Sequence, residues 1–229
     1  MSRVMSKAPI LLCCATKWES SPLIRRWALC EVNPLRYEGS VHSVDVVVLK
    51  TGIGAPNVRE ALACVAAPRL LLSTGFAGAL QPGMASGDLA LEVHGLDLSV
   101  PQAAREIAAA QNVPIHFGRM AHSDRILSDP KDKISLGGAG RCFAVDMESR
   151  EIRVSAGRLG CPFLAARVIL DSLDDSLPAE APQGERLFDL LPYFLKNFSD
   201  MPKMARLGWL QRRAAARLAA FLEELLPRL

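Results

Sequence analysis

Three short runs in the first third of the chain, 10–15, 44–49 and 70–74, are apolar almost throughout and end in turn or polar residues. Continuous hydrophobicity of that length predicts strands buried on both faces, as in a parallel sheet covered by helices. Between the second and third runs, Val58, Ala61, Leu62 and Val65 recur at three- and four-residue spacing. The spacing predicts a helix over 57–67, with Asn57 as its cap and Pro56 restraining the residue before it. Strand, glycine-containing turn, helix and strand together make a βαβ unit.

Farther along, 87–92 reads as a strand led by the turn-like Met84-Ala85-Ser86-Gly87. A helix is predicted over 101–111, where Ala104, Ile107 and Ala108 share a stripe. Residues 118–140, rich in Gly, Ser and Asp, read as a loop region over the core. A helix over 148–159 and a strand over 163–170 follow, the strand ending in Asp171 with Asp174 and Asp175 just beyond. Two helices, 186–197 and 203–226, close the chain. The pattern is that of an α/β protein, with 1–229 as one domain and 186–229 as its C-terminal helical extension.

In an open parallel sheet, ligands collect beyond the carboxyl ends of the strands. Polar groups stand at four such ends: Glu19, Thr51-Gly52-Ile53-Gly54, the stretch Gly75-Phe76-Ala77-Gly78, and Asp171. Any one of them is ordinary turn chemistry; four together predict a shared pocket. The TGIG turn is no phosphate loop, because no GK[ST] follows, and Asn57 stands where a dinucleotide fold would need a third glycine. No cofactor is expected. The glycines read either as tight turns or as bare backbone that a planar ring can approach, with exposed N–H groups able to hold an anion.

Glu148, in Val145-Asp146-Met147-Glu148 at a loop-to-helix boundary, also has two readings. Either acid could simply favour a helix N-terminus. Alternatively, Glu148 accepts hydrogen bonds from vicinal sugar hydroxyls, with Met147 packed beneath the ring. Of the histidines His42, His94, His116 and His122, only His122 reads as pocket-lining, beside Ser123 and Asp124; their spacing suggests no metal site.

Composition narrows the class. The chain has 229 residues, 50% of them hydrophobic, enough for a full core. A formal net charge of +3 is too small to imply nucleic-acid binding, and it is unevenly placed. Segment 203–229 carries +4, from Lys203, Arg206, Arg212, Arg213, Arg217 and Arg228 against Glu223 and Glu224, which leaves −1 elsewhere. Cys13, Cys14, Cys30, Cys64, Cys142 and Cys161 show no CxxC spacing, which fits buried free thiols in a reducing cytoplasm. Residues 1–9 lack the apolar run of a secretory signal, and no segment reaches the ~20 apolar residues of a membrane span.

The last segment has two readings. Leu207, Leu210, Ala214, Leu218, Phe221, Leu222 and Leu225 make an apolar stripe on a helix, with Arg206, Arg212, Arg213 and Arg217 over much of the remainder. It packs on the sheet or a partner subunit, or it lies at a membrane surface with its basic side toward anionic lipid. Upstream, LFDLLPYFL (187–195) adds apolar and aromatic surface.

The stretches ILLCCATKWES (10–20), TGIGAPNVREAL (51–62), LLSTGFAGALQPGMASGDLAL (71–91), HSDRIL (122–127), AVDMES (144–149) and PFLAARVILDSLDD (162–175) resemble, in order, the purine-nucleoside phosphorylase and nucleosidase family. That family includes methylthioadenosine/S-adenosylhomocysteine nucleosidase and futalosine hydrolase. The resemblance implies a three-layer α/β/α sandwich around a twisted mixed sheet, and a homodimer or larger ring. It implies cleavage of the bond between a base and a sugar that gains oxocarbenium character. Asp171 then looks like the acid that protonates or hydrogen-bonds the base, Glu19 the residue that orients attacking water, and Glu148 and Met147 the sugar contacts. Gly75, Phe76, Ala77 and Gly78 look like the backbone wall beside base and sugar, and Ser123 and Ile126 fall in the base-binding loop. Two positions depart from the pattern: Leu170 stands where a serine commonly precedes the aspartate, and Ile126 where an aromatic often stacks on the base. Arg167 is a candidate to order that rim.

Leu71-Leu72-Ser73 lacks the arginine that many phosphorylases of the family place there, and Glu19 would repel phosphate, so water is favoured as the nucleophile. Arg25 and Arg26 are the cations left to help a phosphate. The tail and SLDDSLPAE (172–180) resemble hopanoid-associated members, which remove adenine from adenosylhopane. That implies a nucleoside substrate linked to a lipid and a cytoplasmic protein peripheral to the inner membrane face. Futalosine and methylthioadenosine-type nucleosides are the alternatives, as is a non-catalytic nucleoside-binding module.

Overall fold

A computed structural model describes residues 8–175 and 201–229 of the chain; the helix predicted over 186–197 lies outside them. In chain order the elements are β1 (Ile10–Cys14), α1 (Lys17–Arg26), β2 (Cys30–Asn33), β3 (Arg36–Val41), β4 (Val44–Lys50), α2 (Ala55–Ala61) and β5 (Leu70–Ala79). Then come β6 (Leu89–His94), α3 (Ser99–Ala110), β7 (Ile115–Phe117), β8 (Met120–His122), α4 (Pro130–Gly140) and β9 (Ala144–Asp146). The described chain ends with α5 (Ser149–Leu159), β10 (Phe163–Asp171), α6 (Met201–Leu225) and a 3₁₀ turn, Leu226–Arg228.

The three apolar runs are strands, and they pair in parallel: β1 lies between β4 and β5, and β10 continues beyond β5. The sheet order is β2-β3-β4-β1-β5-β10-β6-β7, with β6 antiparallel to β10 and the β2–β3 hairpin antiparallel to β4. It is a mixed sheet. Alternation along its central strands sends side chains to opposite faces. Ile10, Leu12, Val46, Val48, Leu70 and Leu72 join one core with Leu23 of α1, Ala104 and Ile107 of α3, and Leu218 and Phe221 of α6. Leu11, Cys13, Val47, Leu49 and Leu71 join a second core with Val58 of α2 and Ile152 and Ala156 of α5. Helices therefore cover both faces, giving the α/β/α layering.

One departure from regular pairing creates the site. β1 accompanies β5 only as far as Ser73, and β9 then takes up the same edge at Gly78 and Ala79. Thr74 to Ala77 consequently face a gap on that side, while β10 pairs along the other. The gap lies at the carboxyl end of β1, where the topology places ligands.

Several predicted boundaries move. Helix α2 begins at Ala55 rather than Asn57: Pro56 sits comfortably in a first helical turn, where its missing N–H is no loss, and Gly54 is the cap. The side chain of Asn57 donates instead to the carbonyl of Ile53. Residues 118–140 are not a single loop. Asp129 caps α4 by accepting from the N–H of Lys131, Pro130 opens the helix, and β8 pairs with β9. Cys13, Cys14 and Cys142 are buried, but Cys30 and Cys64 are exposed, contrary to the reading of buried thiols. The two exposed cysteines sit at an edge hairpin and just past α2, where little covers them.

From Ala214 onward the apolar stripe of α6 is consumed in the core: Ala214, Leu218, Phe221, Leu222 and Leu225 are all buried there. Arg217 is also engaged, donating to the carbonyl of Gly87 at 2.8 Å, while Arg212 and Arg213 stay exposed. The packed reading of this segment holds over those residues, and that part of the stripe offers no surface to lipid.

Candidate active site

Helix α1 presents Glu19 to the gap. Thr16 and Glu19 form a capping box: the Glu19 carboxylate accepts from the Thr16 backbone N–H at 2.9 Å and from its hydroxyl at 3.3 Å. This reciprocal arrangement satisfies orphan donors at the helix start and fixes the Glu19 rotamer. The other carboxylate oxygen reaches across to β5 and accepts the N–H of Phe76 at 3.0 Å. A side chain at 75 would collide with that carboxylate and with the Arg167 guanidinium, and the φ of +146° there also favours glycine.

The two readings of 145–148 separate cleanly. Asp146 does the helix-terminus work, accepting from the N–H groups of Ser149 at 3.0 Å and Glu148 at 3.3 Å and from the Ser149 hydroxyl. Glu148 turns the other way, and its carboxylate accepts the N–H of Gly54 at 2.9 Å. The TGIG turn therefore does hold an anion, one supplied by the protein. Burial pushes the Glu148 carboxyl up to about 7, although Arg167 and the Gly54 N–H pull in the opposite direction.

Arg167 is not at a rim. It is 1% exposed on β10 and sits among three carboxylates: Asp146 at 2.9 Å, Glu148 at 3.5 Å and Glu19 at 3.8 Å. It also donates to the hydroxyls of Ser73 at 2.7 Å and Ser149 at 3.2 Å. Burial alone would favour losing its proton, but Asp146, Glu148 and Glu19 outweigh that and hold it in the charged form.

Asp171 ends β10 opposite Gly78, and its carboxylate lies against the space a Gly78 side chain would fill. On the far side of Gly78, β9 brings Val145 and ends at Asp146, with Met147 and Glu148 next in the chain. Asp171 thus stands at the Gly78 end of the span 75–78, with Glu19 and Arg167 at the Gly75 end and Glu148 joined to that end through Arg167. From Gly75 to Gly78 is three residues of strand, about 10 Å at the rise of an extended chain. Asp171 is largely buried, and desolvation raises its pKa against the opposing effect of Lys133.

Glu19, Phe76 and Glu148 gather around Arg167 at Gly75, and Asp171 lies beside Gly78 at the other end of the stretch. Half-buried Met147 connects Asp146 to Glu148. The Ser123 N–H donates to the Asp146 carbonyl at 3.0 Å, anchoring the loop after β8 to the same rib. Ile126 projects from that loop and is 40% exposed. His122 and Ser123 line an open cavity of about 310 Å³ with Arg125, Leu127, Asp132, Ser135 and Leu136, and its lining includes none of Glu19, Glu148, Asp171 or the 75–78 stretch. Arg25 and Arg26 do not serve the site. They occupy the last turn of α1, about 9 Å along the axis from Glu19, and Arg26 pairs with Glu223 of α6.

Sequence reasoning missed Lys133, Asp146, Ser73 and Ser149 as members of this network. It also missed Thr16, whose T-x-x-E spacing to Glu19 is a readable capping signature.

The Phosphorylase superfamily profile matches residues 9–93. A 5'-methylthioadenosine/S-adenosylhomocysteine nucleosidase of an Exiguobacterium strain is 27% identical over 169 residues, covering 61% of this chain and 72% of its own. The Haemophilus influenzae nucleosidase of the same name is 28% identical over 189 residues, covering 66% and 82%. The chain is similar to the phosphorylase superfamily over 9–93 and to these nucleosidases at under 30% identity. Its fold is that of the Helicobacter pylori 5'-methylthioadenosine/S-adenosylhomocysteine nucleosidase, with a TM-score of 0.72 at 19% identity over 98% of this chain and 100% of that one. Futalosine hydrolase of Helicobacter pylori superposes comparably, at 0.71 and 19%, over 97% and 98%.

Proposed function

We propose that this chain is a member of the phosphorylase superfamily and a nucleosidase that hydrolyses the N-glycosidic bond of an adenine nucleoside carrying a 5' substituent of the methylthioadenosine kind. One observation carries the reading: a bare stretch of β5 backbone has a buried aspartate at one end and two buried glutamates joined to its other end. A base lying near Gly78 meets Asp171, and its sugar near Gly75 meets Glu148 and Glu19.

The chemistry follows from that placement. The carboxyl of Asp171 donates its proton to a ring nitrogen of the base while the electron pair of the breaking C–N bond moves onto the base, which leaves neutral. Glu148 accepts hydrogen bonds from the sugar hydroxyls, and these strengthen as the ring gains positive charge. Glu19 orients a water and takes its proton as the oxygen bonds to the anomeric carbon. Solvent then returns the protons, so nucleoside and water become base and free sugar.

Water is favoured over phosphate by charge. Arg167 is already committed to Glu19, Asp146 and Glu148, and Glu19 occupies the Phe76 N–H that an anion would seek. The adenine nucleoside with a short 5' substituent is favoured by the named relatives. A lipid-linked substrate loses its main support, because the apolar stripe from Ala214 onward is spent on the core.

The test is product analysis after incubation with methylthioadenosine, S-adenosylhomocysteine, futalosine and adenosylhopane. Adenine and free sugar released from methylthioadenosine at one rate with and without phosphate is the expected result. Formation of a sugar phosphate, or release of base from none of the four, would overturn the reading.

A further inference from the structure

Lys133 is fully buried on α4, and the nucleosidase reading gives it no task. Its ammonium lies 2.5 Å from Oδ2 of Asp171 and donates to the carbonyls of Ser172 at 2.8 Å and Asp175 at 2.9 Å. Its three donors are thus directed at one five-residue stretch, 171–175. Burying an ammonium is costly unless it is paired and hydrogen-bonded, and here both conditions are met by the end of a single strand. The neighbour Leu170 brings no donor to the carboxylate.

We propose that Lys133 is a positioning residue for Asp171: it aims the carboxyl group at the Gly78 span and stabilises the carboxylate left when the proton passes to the base. The inference rests on the nucleosidase reading for its catalytic meaning. Asp171 loses one proton to a base nitrogen; Lys133 keeps all of its own and moves none. Stabilising the product carboxylate makes Asp171 a stronger acid than burial alone would allow. The charged groups bearing on Asp171 are Lys133 from α4 and Asp175 from the turn after β10, the latter acting in the opposite sense. On β5 the residue paired with Asp171 is Gly78, and the β9 residue paired with Gly78 is Val145; neither is charged.

Two variants separate charge from packing. Lys133→Met removes both charge and donors, and Lys133→Gln keeps a donor without the charge. In each, the alkaline limb of the pH profile of kcat/KM should move upward by about one to three pH units, the size of an adjacent opposite charge. The rate constant kcat should fall while KM stays close to the wild-type value. In Lys133→Ala, ethylammonium in the buffer should restore part of the lost rate. The decisive readout is independent of turnover: ¹³C NMR titration of the Asp171 carboxyl, identified by its absence in Asp171→Asn. An unchanged Asp171 titration in both Lys133→Met and Lys133→Gln would overturn the proposal, even with activity reduced. If the wild-type protein cleaves no nucleoside, the functional reading fails, while the NMR titration still decides whether Lys133 sets the proton affinity of Asp171.

Discussion

Glu19 and Gly75 share one volume: the carboxylate of Glu19 lies where a side chain on Gly75 would begin, and its Oε1 accepts the N–H of the next residue, Phe76. The absence of a Cβ at 75 lets a helix-borne carboxylate reach the backbone of β5 in the gap between β1 and β9. Gly75→Ala should therefore displace Glu19 rather than merely crowd the strand. A displacement of about 1 Å at a catalytic group costs on the order of 10²-fold in rate. Turnover should drop by at least that factor while circular dichroism stays close to wild type; full activity in Gly75→Ala would contradict the placement of Glu19.

Arg167 should be the residue most costly to remove. Arg167→Met leaves three buried carboxylates and two serine hydroxyls without their common partner. Breaking a buried ion pair from one side typically costs about 3–5 kcal/mol, and urea unfolding should register a loss in that range. Arg167→Lys should recover only part of it, because one ammonium cannot reproduce a planar fork serving five groups.

Glu148 predicts a pH dependence of definite sign. Its carboxyl is raised from 4.5 to about 7, chiefly by burial. As a hydrogen-bond acceptor for sugar hydroxyls it works when ionised, so kcat/KM should fall as pH drops below about 7. Glu148→Gln should be slow and should lack that acid limb. Stability runs in the opposite direction. A group whose folded pKa is raised favours the folded state fully below 4.5, and that contribution is lost as pH rises through about 7. The melting temperature of the wild type relative to Glu148→Gln should therefore decline across that window.

Asp171→Asn keeps the shape of the side chain but cannot donate an acidic proton. Turnover should fall by about 10²–10⁴-fold, the usual contribution of a general acid, with the fold retained. Undiminished base release would remove Asp171 from the mechanism.

The strands of the parallel core were legible because burial on both faces leaves an unmistakable apolar run. The glycine stretch after Thr74 and the acid ending β10 were legible for a related reason, since polar residues at strand ends interrupt such runs. Residues 118–140 were not. Strands β8 and β9 are three residues each, too short for a periodic signal, and α4 carries glycines and a buried lysine where a helix would ordinarily show an apolar stripe. Lys133 is buried for the sake of Asp171, about forty positions away, and no local pattern encodes that. The Arg167 network was hidden similarly: Ser73, Asp146, Ser149 and Arg167 meet only after β5, β9, α5 and β10 have assembled. Asp146 and Glu148 looked interchangeable in sequence, and the backbone direction at the start of α5 gives them opposite tasks.

In the proposed complex one nucleoside spans 75–78 with its base at Asp171 and its sugar at Glu148. The most direct measurement is a crystal structure with a non-hydrolysable methylthioadenosine analogue. An Asp171 carboxylate oxygen should lie within hydrogen-bonding distance of a ring nitrogen, with Glu148 accepting from the sugar hydroxyls of the same molecule. An analogue bound elsewhere, or touching one of these carboxylates and not the other, would contradict it.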